Sequence, residues 1–461
     1  MSLYKRLHEA NSEEGAKEGG SSTATPSAPT AKMSGRRDPA LDELRHRVHS
    51  SLIEELGPIL YDKRLSEDEL RKKVHEALHN ALAMERTPLS AADKAQLIQD
   101  VSDDILGYGP IDKLLRDEDV SEVMCNGPDQ IFVERSGKLS VEGVTFVDEL
   151  HLRRIIDKIV AQVGRRIDES SPLCDARLPD GSRVNAVISP LAIGGPFLTI
   201  RKFAADPLQI DDLIRFGTLS VNAARFLQAC IVGKLNVVVS GGTGTGKTTT
   251  LNVLSSFIPD GERIITVEDA KELQLNQQHV LSLETRPPNI EGRGEVTQRD
   301  LVKNALRMRP DRIIIGEVRG GEALDMLQAM NTGHDGSLAT LHANNPRDAL
   351  GRLENMVSMS GLKLPMSAMR AQIASAIDVV LQLERMEDGR RRVTSLQEIQ
   401  GMEGDIITMS EIFAFRRRGV DEEGNVLGDY TATGLVPKFH DDLQRRGLGV
   451  DVALFRPQQT L

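Results

Sequence analysis

The chain has 461 residues, enough for two or three domains with a sizeable core, and its 57 Lys and Arg against 68 Asp and Glu leave a formal net charge of −11. That balance, with no Trp and only 3% aromatic residues, argues against a dedicated nucleic-acid binder, which needs a basic surface or stacking platforms; a local basic stripe stays open. Cys125, Cys174 and Cys230 are far apart and form no C-x-x-C, which disfavours a zinc ribbon or redox pair and suits a reducing cytoplasm. No run approaches the roughly 18 apolar residues of a membrane span, and the first residues lack the apolar core of a signal peptide. The expected location is therefore cytoplasmic, with any membrane contact peripheral.

Residues 1–37 are dominated by Ser, Gly, Ala, Thr, Pro and Glu and read as a disordered tail. From 38 to 107 the pattern is helical. Leu41, Leu44, Val48, Leu52 and Ile53 recur at three- and four-residue spacing, as do Leu70, Val74, Leu78 and Leu82, then Leu97, Val101, Ile105 and Leu106. Thr87-Pro88 breaks the second stretch from the third, with Ser90 a candidate N-cap. Such a helical module suits oligomerisation or partner docking. Residues 108–203 change character: apolar segments at 120–125, 130–134, 184–189 and 197–201 alternate with Gly, Pro and Asp turns around a helix at 150–163. This is an α+β N-terminal domain. Asp206-Pro207 and Gly217 mark 204–220 as a linker and the expected hinge. Residues 221–461 read as an α/β domain, with strands at 235–240, 263–268, 279–284, 312–316, 337–341 and 379–384, and an antiparallel pair at 391–399 and 405–415 extending one edge.

The chemistry concentrates at 241–248, where Gly241, Gly242, Thr243, Gly244, Thr245, Gly246, Lys247 and Thr248 match G-x-x-x-x-G-K-[ST] and follow the apolar run Val237–Val239. Glycines let consecutive N–H groups turn inward around an anion, and the helix that follows, through Thr249, adds its positive end. Lys247 can reach the β- and γ-phosphates of ATP, and the Thr248 hydroxyl can ligate Mg²⁺. Two further strands end in acids. RIITVED places Glu268 and Asp269, followed by Glu272, at the ligand crevice of an open α/β sheet. DRIIIGEVRG ends in Glu317, which can meet the Mg²⁺ shell through water or act as general base on the attacking water. Among small residues in TGHDGSLATLHANNP stand His334 and His342; their spacing is not that of metal ligands, and their expected role is to sense the γ-phosphate.

In that order the phosphate loop, VEDAKEL, RPDRIIIGEVRG and TGHDGSLATLHANNP resemble the Walker A, Asp box, atypical Walker B and His box of the type II/type IV secretion ATPases, hexameric motors with a RecA-like P-loop core. Upstream, VSEVMCNGPDQIFVERSGKL and CDARLPDGSRVNAVISPLAIGGPFLTIRKF resemble the N-terminal domain of the CpaF-like Tad (Flp) pilus assembly ATPases. The resemblance implies that Lys247 and Thr248 hold phosphates and Mg²⁺, that Glu268 and Glu317 serve Mg²⁺ and water activation, and that His342, with His334 nearby, lies beside the γ-phosphate. It implies that Arg177, Arg183 and Arg201 reach the nucleotide when the lobes close, as an arginine finger does. Arg307, Arg309 and Arg319 flank the Walker B strand and could act across a subunit boundary. The implied function is a homo-hexameric ATPase that powers pilus assembly, retraction remaining open. Its partners are inner-membrane platform proteins, and it needs no direct contact with nucleic acid. The competing readings are a conjugation or type IV secretion traffic ATPase and, further off, a nucleic-acid motor.

Overall fold

The computed structural model describes residues 67–84, 90–135, 137–203, 207–288 and 292–457, together with positions 44, 47, 48, 51 and 52. The expected tail 1–37 and part of the helical module lie outside the described residues. The chain separates into two compact units, Met1–Ile105 and Leu106–Leu461. In the first, Leu44, Val48 and Leu52 are helical and buried. Helix α1 spans Glu67–Met84 and buries Val74, Leu78 and Leu82; α2 begins at Ala91, runs to Leu106 and buries Leu97, Val101 and Ile105. These are the apolar stripes of the sequence pattern. Ser90 caps α2 by accepting the Asp93 N–H at 3.1 Å, which satisfies one of the orphan donors of the first turn.

The second unit opens with a 3₁₀ turn, Gly109–Ile111, and the short helix α3, Asp112–Arg116. Six strands follow: β1 Val120–Asn126, β2 Ile131–Arg135, β3 Lys138–Val141, β4 Leu173–Arg177, β5 Arg183–Val187 and β6 Phe197–Arg201. They form one antiparallel sheet in the order β3-β2-β1-β6-β5-β4. Helix α4, Glu149–Gln162, is capped by Asp148 and lays Leu152, Ile155, Ile156 and Ile159 in the core with Val123, Val133, Leu198 and Ile200. Strands β3 and β4 are additions to the sequence reading. Both lie at sheet edges, β3 with all four residues exposed and β4 with Cys174 alone buried, so neither carries the apolar alternation that marks a strand.

Helix α5, Ile210–Arg215, occupies the segment read as a linker, and its Leu213 joins Leu219 in the core of the larger domain. Residues 204–206 of that segment lie outside the described residues. The chain then runs through α6 Val221–Val232, β7 Val237–Gly241, α7 Lys247–Ser255, β8 Ile264–Glu268, β9 Val280–Glu284, α8 Gln298–Ala305, β10 Arg312–Val318, α9 Glu322–Asn331, β11 Leu338–Leu341, α10 Pro346–Ser358 and α11 Met366–Ala376. Strands β12 Val379–Arg385, β13 Arg391–Glu403, β14 Ile406–Val420 and β15 Val426–Ala432 and helix α12 His440–Arg445 complete it. The nine-stranded sheet has the order β15-β14-β13-β12-β7-β11-β10-β8-β9, parallel from β12 to β9 and antiparallel beyond.

The central strands are apolar on both faces because both faces are covered. Val237, Val239, Ile264, Ile314, Val379 and Leu381 enter one core with Phe226 and Leu251; Val238, Ile265, Ile313, Ile315 and Val380 enter the other with Leu327 and Leu353. Consecutive residues thus serve opposite layers, and burial of each aliphatic side chain contributes roughly 1.5–3 kcal/mol before chain entropy is subtracted. The expected terminal strand pair is present and gains a third member in β15, whose sequence VLGDYTA is too polar to signal one. The α/β, RecA-like P-loop ATPase fold with an α+β N-terminal domain is the architecture seen.

Candidate nucleotide-binding site

The loop between β7 and α7 leaves the carboxyl edge of the parallel sheet, where such sheets hold their ligands. Gly246 caps α7 at φ +90°, a conformation that a side chain resists. At Gly241 a Cβ would stand 2.5 Å from Thr245 Oγ1 and 2.8 Å from the Leu383 carbonyl, so only glycine admits the tight return of the chain. Thr245 Oγ1 donates to the Gly242 carbonyl at 2.9 Å, and Lys247 Nζ donates to the same carbonyl at 2.8 Å. Partial burial lowers the Lys247 pKa, with Glu317 opposing the shift and Arg319 adding to it. Glu317 therefore lies within electrostatic reach of the loop lysine.

Strand register brings the acids to the same edge. Ile315 of β10 pairs with Val267 of β8 and with Ala339 of β11, and β11 pairs in turn with β7, Leu341 opposite Ser240. Glu268, Glu317 and His342 thus emerge from the ends of β8, β10 and β11, at the edge where β7 ends in Gly241. Glu317 is held by Arg319, whose Nε and Nη2 donate to its Oε2 at 2.9 and 2.5 Å while Nη1 donates to Asp269 Oδ2 at 2.6 Å. Arg319 consequently faces the acids of its own chain. Arg307 and Arg309 are exposed in the turn before β10, at the opposite edge of the sheet from Glu317.

Glu268 is buried, and its Oε2 accepts the N–H groups of Glu272 and Leu273 at 2.7 and 3.0 Å, while Oε1 has no hydrogen-bond partner. Desolvation raises its pKa against those two bonds. Its Cγ fills the space over Gly316, where a Cβ would approach to 2.9 Å. A phosphate-bound Mg²⁺ takes few protein ligands. The Thr248 hydroxyl, with Glu317 or the unpartnered Glu268 oxygen acting through water, fits that need. Among the described residues no cluster of His, Cys, Asp and Glu forms a separate metal centre.

The two histidines part company. His342 follows β11 at the loop edge and lines a surface pocket with Asn344, Arg347 and Asn355. His334 precedes β11 and lies at the opposite edge, with its Nδ1 buried and unpartnered, so the structure does not bring it to the phosphate loop. The strand between them explains the miss: eight residues in sequence became the full height of the sheet.

A cavity of about 230 Å³ lies between the N-terminal sheet and α7, lined by Gly181, Arg183, Arg201, Thr248, Thr249 and Glu272. Arg183 Nη1 donates to Glu272 Oε1 at 2.6 Å across it. Arg177 Nη1 pairs with Glu284 Oε2 at 2.8 Å, at the end of β9, outside this lining. Sequence reasoning missed Arg391, whose Nε donates to the Gly244 carbonyl at 2.9 Å from 147 residues away. No local signal in GRRR links that residue to the loop.

A family model described as type II/IV secretion system protein matches residues 104–422, and one for the N-terminal domain of type II secretion system protein E matches 41–106. The chain belongs to the type II/IV secretion system protein family. A Mycobacterium tuberculosis protein named for conjugal transfer is 35% identical over 332 residues, covering 71% of this chain and 93% of its own. Type IV secretion system protein PtlH of Bordetella pertussis is 36% identical over 315 residues, covering 62% and 92%. Among solved structures, the VirB11 ATPase of Brucella suis, crystallised with sulphate, is 28% identical and covers 63% of this chain and 95% of that one at a TM-score of 0.35. No described helix is long and apolar enough to cross a membrane.

Proposed function

We propose that this family member is a Mg²⁺-dependent ATPase, converting ATP to ADP and phosphate, that works as a homo-hexameric motor at the cytoplasmic face of the inner membrane. Its output would be assembly of a Tad-like pilus or related secretion apparatus through platform proteins. The observation that carries the reading is the convergence of the phosphate loop, Lys247 and Glu317 at one sheet edge, beside a cleft that Thr248 and Thr249 share with Arg183 and Arg201.

Lys247 and Thr248 would bind the phosphates, and Glu317 would orient and deprotonate the attacking water once Arg319 lets go of it. Bound Mg²⁺ supplies neutralisation of phosphate charge. The groups meant for phosphate also have protein acceptors within reach: Lys247 bonds Gly242, Arg183 pairs with Glu272 and Arg177 with Glu284. The two partly exposed arginine ion pairs are worth about 0.2–1 kcal/mol each, so a triphosphate can take over the arginines at little cost. Exchange of Arg183 from Glu272 to phosphate would move the N-terminal sheet against the core, which is a route from binding to motion.

Lys247→Ala should abolish nucleotide binding, and Glu317→Gln should retain it while lowering turnover by about 100-fold or more. Full ATPase activity in the Glu317→Gln protein would defeat the assignment. A conjugation or type IV secretion traffic role is the second reading, favoured by the names of the relatives above. Deleting the gene separates them: loss of surface pili with DNA transfer intact supports the first, the reverse the second.

A further inference from the structure

The turn joining β12 to β13 reaches two places at once. Arg385 ends β12 and Arg391 begins β13, opposite each other in register. Arg391 donates from Nε to the Gly244 carbonyl at 2.9 Å, and its Cδ packs on Gly246, 3.2 Å from where a Cβ would be. Arg385 donates from Nη2 to the carbonyl of Gly137, in the β2–β3 turn of the N-terminal sheet, at 3.1 Å. Its Nη1 stands 3.7 Å from the Cβ position of Gly244. Arg201, at the end of β6, is a third cation in this neighbourhood, and Glu134 is an opposing carboxylate.

A peptide bond is planar and trans, so the direction of the Gly244 carbonyl dictates the direction of the Thr245 N–H on the other side of the same plane. That N–H belongs to the loop whose amides must converge on a phosphate. A guanidinium fixed to the carbonyl therefore aims the amide. Its own anchorage, through the hairpin and Arg385, is the N-terminal sheet.

We propose that Arg391 is a positioning residue of the phosphate loop, setting the Gly244–Thr245 peptide, and that Arg385 makes this setting depend on the position of the N-terminal domain. The inference rests on the nucleotide-binding reading. It adds a path from domain position to loop geometry that is separate from Arg183 and Arg201, which would meet the phosphates directly.

The test is a double-mutant cycle on the full chain, Arg385→Ala, Arg391→Ala and both, titrated with fluorescent ATP and ADP analogues. Arg391→Ala is expected to weaken binding about tenfold, the scale of one charged hydrogen bond. Arg385→Ala should weaken it by a smaller factor, and the double variant should bind like Arg391→Ala alone. Arg391→Lys, which keeps the charge and loses the Nε donor, should not rescue; it also serves if Arg391→Ala fails to fold. A merely structural pair would shift the unfolding midpoint and leave the cycle additive. Additive losses, rescue by lysine, or wild-type affinity in Arg391→Ala would each overturn the proposal. Wild-type protein that binds no nucleotide would instead sink the nucleotide reading, and this proposal with it.

Discussion

Replacing Arg312 by methionine tests how strand β10 is seated. Arg312 opens β10 with no solvent exposure; its Nε and Nη2 donate to Glu262 at 2.7 and 3.0 Å, and Nη1 donates to the carbonyls of Ile231 and Gly336 at 2.6 and 3.3 Å. Methionine matches the stem but strands the Glu262 carboxylate. Breaking a buried pair from one side costs about 3–5 kcal/mol. Glu262 is 14% exposed and keeps Lys234 Nζ at 3.4 Å, which favours the lower half of that range. The two carbonyls losing a donor add about 1 kcal/mol. A total near 4 kcal/mol, spread over the unfolding entropy of a unit the length of Leu106–Leu461, lowers the midpoint by roughly 4–8 °C. Burial would raise the Glu262 pKa, but the Arg312 hydrogen bonds and charge outweigh it and hold the carboxyl low. A depressed acid stabilises the fold above its unfolded pKa and stops doing so as pH falls through the folded value. The deficit of Arg312→Met, read by circular dichroism melts, should therefore shrink in acid. Adding Glu262→Leu should recover most of it at neutral pH. A midpoint within 1 °C of wild type at neutral pH would refute the reasoning.

Two further outcomes follow from buried groups. Desolvation raises Glu268, so the folded state holds its proton more tightly than the unfolded chain and stability declines as pH climbs through that window. Glu268→Gln should therefore melt at the same or a higher temperature than wild type near neutral pH, the difference vanishing in acid; a clear loss at neutral pH contradicts the argument. Burial pushes the Cys125 thiol up to about 12 and Cys230 well above its usual range, and Cys174 is raised as well. A thiol-specific reagent should label the native protein slowly and all three cysteines after denaturation; rapid stoichiometric labelling of native Cys125 would count against the buried placement.

Much of the fold was legible because the central strands are apolar on both faces and bounded by glycine or acid. Ile313–Ile315 before Gly316-Glu317 is such a case. Edge strands β3, β4 and β15 were not, since one exposed face and an unpaired side leave little apolar pattern to read. The loop and Glu317 follow from motif order, while Arg183 and Arg201 were singled out by the family resemblance and are set opposite each other by the pairing of β5 with β6. The bond from Arg391 to Gly244 does not, because antiparallel pairing of β12 with β13 creates it and no local pattern records which loop a hairpin end will meet. His334 shows the converse: proximity in sequence to His342 says nothing once a strand intervenes.

The contact of Glu268 with Gly316 ties two strand ends together. Any side chain at 316 would displace the Glu268 stem, and release of Glu268 would free the Glu272 and Leu273 amides that shape the next loop. Glu268 and the glycine that precedes Glu317 thus pack as one unit. A change at position 316 is therefore felt at both strand ends, and Gly316→Ala should disturb the Glu268 loop as well as β10.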